Sequence, residues 1–420
     1  MLTTLKKSLY FPLSYYFRFF AKIKLNSWKP YIIVVTGSSG KTSLLHLLES
    51  QIGDKAKYSH HANSTYGIPF DILGLKRKNL KLTEWAYLFL AAPFSIFKPV
   101  PKHTIYIVEA DCDRPQEGRY LATLLKPEIT LWTSSTKTHS MNFDQLVKNG
   151  RFENVEEAIA FEFGYFLEYS RELAVVNDDS PNIEKQLLRT KVRIIPISIN
   201  DLTDYRVSID QTILKIGNEE YRFDKLLPKE IYHSLQMCLE VLKYLKLPLD
   251  KSFKNFTLPP GRNSVFKGIK NTTIIDSAYN ANLDSMTAVL NMFENIKAEK
   301  KWMVLGDMLE QGESEQKEHE KLADEILKIK SDKIILMGPR VSKFTLPKLK
   351  SEDKSIISFE NPKDVLEYLK ENLKGGELLL FKGARFLEGV IENLLADKKD
   401  ADKLARREKI WQKRRSKFGL

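Results

Sequence analysis

Cysteine is scarce. Cys112 and Cys238 are the only two among 420 residues, too few for a disulfide framework or a four-cysteine metal site, which fits a reducing compartment. Long apolar runs are also missing. No uncharged apolar stretch reaches the roughly 18 residues that a spanning helix needs, and no small-residue cleavage site follows an apolar segment near the N-terminus, so neither a spanning helix nor a signal peptide is expected. Acidic residues are absent from the first 30 positions, which hold six Lys/Arg. The last stretch, 398–420, holds ten Lys/Arg against three acids. These two ends account for the net charge of +12 and leave residues 31–397 at −1. A nucleic-acid groove needs basic residues on the folded body together with a motif. Neither is present, so no nucleic-acid partner is expected.

With 43% hydrophobic residues over this length, two or three domains are expected. Residues 1–29 form an arm that mixes aromatics with Lys and Arg. Such a composition suits a segment lying in a membrane interface, or an aromatic helix packed on the first domain with its charges solvated. From Tyr31 onward the apolar runs "YIIVV", "TIYIVEAD", "ITLWTSS" and "LAVVNDD" alternate with helical stretches, which predicts an α/β domain with a mostly parallel, doubly wound sheet. Residues 191–226 alternate with period two and predict a small antiparallel insert. "LPPGRNS" marks a boundary. A second series, "TTIIDSA", "KWMVLGD", "KIILMG" and "ELLLFKG", predicts a smaller Rossmann-like C-terminal domain. The expected division is a central domain over 30–258, a C-terminal domain over 259–397, and a basic tail over 398–420 that forms a solvated helix. A monomer is expected.

The stretch "VVTGSSGKTS" (34–43) carries the clearest chemistry. Glycine-rich backbone at a helix N-terminus presents N–H groups and the positive end of the helix dipole to phosphate oxygens. Gly37, Ser38, Ser39, Gly40, Lys41, Thr42 and Ser43 would cradle ATP, with Lys41 at the β/γ-phosphates and the Thr42 hydroxyl on Mg²⁺. Glu109 ends an apolar strand, where its carboxylate can point into a cleft at the C-terminal edge of a sheet.

The same loop resembles the nucleotide loop of the Mur ligases, ATP-dependent amide ligases of peptidoglycan assembly. "NSTYGIP" (63–69), "VEADCDRP" (108–115), "TKTHSMNF" (136–143), "GRNSVFKG" (261–268), "IIDSAYNANLDSM" (274–286), "VLGDMLEQGE" (304–313) and "LLFKGARFLEGVIE" (379–392) resemble further motifs of that family in its order. The later blocks are most similar to the branch that adds D-alanyl-D-alanine to a UDP-muramoyl-tripeptide. The resemblance implies a cytoplasmic enzyme in which a carboxylate takes the γ-phosphoryl group of ATP and an amine then displaces phosphate. It implies Lys41, Glu109 and His139 as catalytic residues and Thr42, Glu109 and His139 as Mg²⁺ ligands. Arg262 would contact the nucleotide phosphates and Asp276 the ribose, in a site completed by domain closure. Asn280 and Asn282 would lie near the adenine, or serve loop geometry alone. Asn63, Thr65, Lys382 and Arg385 would meet the muramoyl-peptide acceptor and the D-alanyl-D-alanine amine.

Four departures stand against that pattern. Phe163 occupies the place of a lysine that the family carbamylates to bridge two metals. Ser277 replaces the second of two acids, and Met237 replaces an asparagine. The family's N-terminal uridine-nucleotide domain is expected to be missing, with the basic arm in its place and an acceptor at the inner face of the membrane. Two alternatives remain open: a catalytically weak nucleotide-binding partner protein, and a ligase of the same mechanism with another acceptor.

Overall fold

The computed structural model describes residues 10–60, 62–77, 81–350, 355–384 and 386–420. It divides into two compact units. The first comprises residues up to Thr136, Gln145–Ile199 and His233–Asp250; the second comprises Lys137–Asp144, Asn200–Tyr232 and Lys251–Leu420.

The first unit is built on strands β1 (Tyr31–Thr36), β2 (Ala56–Tyr58), β3 (Ile105–Ala110), β4 (Ile129–Trp132), β5 (Leu173–Asn177) and β6 (Arg193–Ile197). Its helices are α1 (Tyr10–Trp28), α2 (Lys41–Ile52), α3 (Gly67–Leu73), α4 (Leu82–Ser95), α5 (Glu117–Leu125), α6 (Val155–Glu168) and most of α7 (Ile231–Tyr244). The sheet is wholly parallel, in the order β2-β3-β1-β4-β5-β6. Strands β4 and β5 are buried along their whole length, which is why they read as unbroken apolar runs. Because β1 pairs with β3 on one side and β4 on the other, the winding reverses there, and ligands bind outside the carboxyl ends of strands at such a switch point.

The structure corrects one expectation. Residues 193–197 do not belong to an antiparallel insert but pair parallel with β5, from Leu173↔Arg193 to Asn177↔Ile197. As an edge strand β6 is only partly covered, and Pro196 is tolerated there. The antiparallel meander is confined to β7 (Leu202–Val207), β8 (Thr212–Ile216) and β9 (Glu219–Phe223), which lie in the second unit.

Helix α1 is packed on the first unit. Phe17, Ala21, Leu25 and Trp28 are buried, an i, i+4 stripe that defines one apolar face. The Phe17 ring lies 4.8 Å from both Phe70 and Phe89, and Trp28 Nε1 donates to the His103 carbonyl at 2.8 Å. The buried Lys24 ammonium donates to the carbonyls of Ser95, Lys98 and Pro99. It thereby satisfies the open C-terminal end of α4.

In the second unit a mixed sheet runs β10-β11-β15-β12-β13-β14. Its strands are β10 (Ser264–Lys267), β11 (Thr273–Ser277), β12 (Lys301–Gly306), β13 (Lys333–Met337), β14 (Ile356–Phe359) and β15 (Leu378–Lys382). Only β10 is antiparallel to its neighbour. The helices are α8 (Leu283–Asn295), α9 (Glu315–Leu327), α10 (Pro362–Asn372), α11 (Leu387–Leu394) and α12 (Lys409–Ser416). One apolar layer joins Met286, Leu290 and Phe293 to Leu322, with Leu226 and Val207 of the meander region against it. The other joins Leu369 of α10 to Val390 and Leu394 of α11. Both sheet faces are therefore covered, as a doubly wound sheet requires.

The C-terminal tail carries the expected solvated helix, α12, in which Arg415 alone is buried, but it is anchored to the second unit. Leu404 and Arg415 are buried, and Arg415 Nη1 lies 3.5 Å from Glu388 of α11. A buried carboxylate needs a counter-charge, and the tail supplies it.

Candidate active site

The phosphate-loop candidate fills the gap between the end of β1 at Thr36 and the start of α2 at Lys41. Gly37 has φ 128° and Gly40 φ 83°, conformations open to glycine. A Cβ on Gly37 would stand 2.5 Å from Thr133 Oγ1 and 2.8 Å from the Ser134 backbone, so no side chain fits. The Ser38 amide donates to the Ser134 carbonyl at 3.0 Å, the Ser38 hydroxyl to the Thr136 carbonyl at 2.7 Å, and the Ser39 amide to Ser134 Oγ at 2.8 Å. The loop is thus fixed to the segment that leaves β4. Ser43 lies half-buried in the first turn of α2.

Lys41 is buried, with its ammonium 2.9 Å from Asp111 and bonded to the Gly37 carbonyl. Burial alone would lower its pKa, but Asp111, Glu109 and Asp113 outweigh that and raise it. The group is held as a cation. Beside it the Thr42 hydroxyl donates to Glu109 Oε1 at 3.3 Å. Glu109 is carried by β3 and paired in register with Val35 of β1, and its amide is held by Ser59 Oγ at 2.9 Å. A hydroxyl and carboxylates gathered beside a buried lysine form an all-oxygen donor set, which suits a hard cation such as Mg²⁺. A pre-charged lysine at a helix N-terminus suits a polyphosphate.

Asn63 comes to this edge through its backbone, accepting the Asp111 amide at 2.9 Å. Thr65 is fully buried, and its hydroxyl donates to Glu117 Oε1 at 2.5 Å. That position holds the loop together rather than facing a ligand. Glu117 also accepts from Tyr10 of α1 at 2.6 Å and from the Asp113 amide at 2.8 Å. Burial, then the nearby Asp113, raises the pKa of its carboxyl. Asp111 and Glu117 escaped the sequence reading. For Asp111 a clue existed, an acid two places beyond Glu109 at the strand end; for Glu117 there was none.

In the second unit His139 adopts φ 51° and Glu310 φ 63°, both in the left-handed region that non-glycine residues seldom occupy. They are paired, Nδ1 to carboxylate, at 2.7 Å. Two strained residues joined at one point is the pattern of a functional constraint. Glu310 lies inside the block "GDMLEQGE", which marked the region but not the residue.

Asp276, next to last in β11, is fully buried, with Oδ1 accepting the Ala278 amide at 3.0 Å and Oδ2 without a protein partner. Burial above all, with Glu388 adding, pushes its pKa up to about 6. Lys382, adjacent in register to Ser277, is buried and donates to the Asn280 carbonyl at 2.7 Å. Burial first, then Arg262, brings its pKa down to about 7. Asn282 caps α8, its side chain accepting the Ser285 amide at 3.0 Å in a reciprocal capping box. Asn280 is exposed. Arg385 lies outside the described residues. Phe163 and Met237 are fully buried and Ser277 nearly so, with the Phe163 ring 6.1 Å from Trp132. These are packed core positions.

The loop after β11 is clamped by two arginines. The Arg262 guanidinium lies 4.3 Å from the centre of the Tyr279 ring and that of Arg406 lies 5.3 Å from it. Arg406 also donates to the carbonyls of Ala278 at 3.3 Å and Tyr279 at 2.5 Å. Arg406→Ala should raise the KM for ATP about 3- to 10-fold with little change in kcat, the loss of one or two such bonds. Arg406→Lys should rescue only in part, because an ammonium cannot bridge two carbonyls and stack at once. An unchanged KM in both variants would remove this role.

Comparison with known proteins agrees with this geometry. Residues 35–233 match the Mur ligase middle domain, and residues 261–385 match the Mur ligase glutamate ligase domain. The chain is 26% identical over 389 residues to the UDP-N-acetylmuramoyl-tripeptide–D-alanyl-D-alanine ligase of Bacillus subtilis, covering 89% of this chain and 78% of that protein. It is 25% identical over 377 residues to the ligase of the same name from Borreliella burgdorferi, covering 84% and 72%. Among solved structures it is similar to the MurF ligase of Thermotoga maritima crystallised with ADP, with a TM-score of 0.72 and 21% identity over 93% of this chain and 84% of that one. The two matched domains together span most of the sequence, and the chain belongs to the Mur ligase family.

Proposed function

We propose that this protein is an ATP-dependent amide ligase of peptidoglycan precursor synthesis that joins D-alanyl-D-alanine to the terminal carboxylate of a muramoyl-tripeptide. The observation that carries the reading is the buried, charge-held Lys41 beside the Thr42–Glu109 oxygen pair, at the switch point of a parallel sheet. The names of the relatives give the substrates. In the proposed reaction the acceptor carboxylate attacks the γ-phosphorus of ATP, forming an acyl phosphate and ADP. The dipeptide amine then adds to the acyl carbon, and phosphate leaves as the amide forms. Mg²⁺, held by Thr42 and Glu109, would screen the triphosphate charge, and His139 in the second unit is proposed separately as a metal ligand. Lys41 orients the β- and γ-phosphates and balances charge at the transferring group. The backbone amides of residues 40–43, at the open N-terminus of α2, would hold the chain of phosphates, while those of Ser38 and Ser39 fix the loop to Ser134. Arg262 and Asp276 are assigned to the nucleotide, and Lys382, cationic below about pH 7, to an anionic group of a substrate.

Phe163, Met237 and Ser277 bear on the weaker readings. All three are packed into the interior, Phe163 offers no metal ligand, and the reading is therefore of a ligase working without the bridging carbamate. We further propose that the enzyme acts in the cytoplasm, in peripheral contact with the membrane through its N-terminal helix. Among the described residues no helix is long and apolar enough to cross a membrane.

The test is acceptor and donor exchange read by mass spectrometry. UDP-muramoyl-tripeptide with D-alanyl-D-alanine should give the pentapeptide product, whereas glutamyl acceptors or single amino acids should give none. Product from a glutamyl acceptor instead would transfer the mechanism to another substrate class.

A further inference from the structure

Sixteen large apolar side chains are exposed among the described residues, and nine of them lie on α1, α4 and the turn that follows α4. Single exposed hydrophobics are ordinary; a gathered set marks an interaction surface. Along α4 and into the turn, Tyr87, Leu90, Phe94 and Phe97 recur at intervals of three and four, one helical face, and Phe97 is 81% exposed. On α1, Tyr15 and Phe19 stand one turn apart on the face opposite the buried stripe. The two helices lie side by side. Tyr16 donates to the Phe89 carbonyl at 2.8 Å, the two rings are 5.0 Å apart, and Lys24 closes the end of α4.

Charge around this face is mainly positive. Residues 1–30 hold no acid, and residues 76–102 hold six Lys/Arg and one acid, Glu84. Lys22, Lys29, Lys81, Lys98 and Lys102 are exposed. Directional groups are few on the outer stripe of α4. Tyr87 has its hydroxyl, and Ser95 is buried with its own bonded to the Ala91 carbonyl. A protein partner normally meets a rim of hydrogen-bonding groups around its apolar centre. Rings and aliphatic side chains set among lysines instead fit acyl chains beneath anionic headgroups.

We propose that α1 and α4 together form a docking face for an anionic lipid bilayer, with the Phe94–Phe97 end immersed and the lysines at phosphate level. The proposal rests on the peripheral-membrane reading above. Its test uses no ligase substrate, so it can fail while the ligase reading stands, and the reverse.

The full chain is sedimented with vesicles of phosphatidylcholine alone and of phosphatidylcholine mixed with phosphatidylglycerol, at low and high salt. Binding to the anionic vesicles should exceed binding to the neutral ones by about tenfold or more and weaken with salt. Phe94→Ser/Phe97→Ser should lose about tenfold or more of it at an unchanged melting temperature, because both rings are already exposed. Lys98→Glu/Lys102→Glu should lose the preference for anionic lipid. Absence of binding to anionic vesicles would overturn the proposal, as would equal binding by the phenylalanine variant. A dimer that the phenylalanine variant dissolves, without vesicle binding by the parent, would assign the face to a second copy of the chain and overturn it too.

Discussion

Lys41→Ala should lower ATP-dependent turnover by at least about 10²–10³-fold, the range seen when one preorganised group that stabilises transition-state charge is removed. The ammonium is buried and held by Asp111 and the Gly37 carbonyl, and the surrounding carboxylates keep it charged before substrate arrives. Its removal has a second consequence. Asp111 is itself buried, and breaking a buried pair from one side costs about 3–5 kcal/mol because the other charge is stranded. The Cys112 amide, which donates to Asp111 at 2.9 Å, offsets part of that. Turnover is therefore measured below the melting temperature of the variant, checked by circular dichroism. Thr42→Val is the companion variant: it leaves the Lys41–Asp111 pair intact and removes only the hydroxyl beside Glu109. It should weaken the response to Mg²⁺ while melting like the parent. A Lys41→Ala enzyme that stays folded and turns over at the parental rate would remove the loop from catalysis.

Phe17→Ala should destabilise the protein by about 3–5 kcal/mol, the range for truncating a fully buried phenylalanine. Phe17 has no exposed surface, and its ring is surrounded by Phe70, Phe89, Tyr66 and Trp85, with centroids at 4.8 to 6.2 Å. The measurement is denaturant unfolding, read as a midpoint shift at constant slope. Phe19→Ala, on the outer face of the same helix, should change the unfolding free energy by less than about 0.5 kcal/mol, as surface changes usually do. Equal small shifts in both variants would mean that α1 is not docked in solution. The same helix reaches the loop beyond β3 through the Tyr10–Glu117 bond, so shortening the arm should disturb the loop at 111–117 as well as the core.

How much of this was legible in the sequence depended on burial. Strands β1, β3, β4 and β5, covered on both faces, announced themselves as apolar runs, as did β11, β12, β13 and β15. Short β2 and the edge strands β10 and β14 did not, because three or four half-covered residues carry no period. β6 was misassigned because it runs in sequence straight toward the alternating meander, whereas its pairing partner is β5. At the site, Lys41, Thr42 and Glu109 were readable because loop chemistry and a strand end fix their positions. Asp276 was named for the ribose, yet its full burial was invisible in "TTIID". Asn282 was left between nucleotide contact and loop geometry, and it caps α8. Glu117, Glu310 and Arg406 were beyond sequence reasoning, since each acts through a residue distant along the chain. The tail reads as solvated by composition, but the buried Glu388 that draws Arg415 in lies 27 residues earlier.

The most direct measurement is the ratio of phosphate released to amide formed, with ATP, Mg²⁺, UDP-muramoyl-tripeptide and D-alanyl-D-alanine in one reaction. The account predicts one phosphate per amide, with both lost in Lys41→Ala. ATP bound with measurable affinity, but neither phosphate nor amide produced, would contradict it.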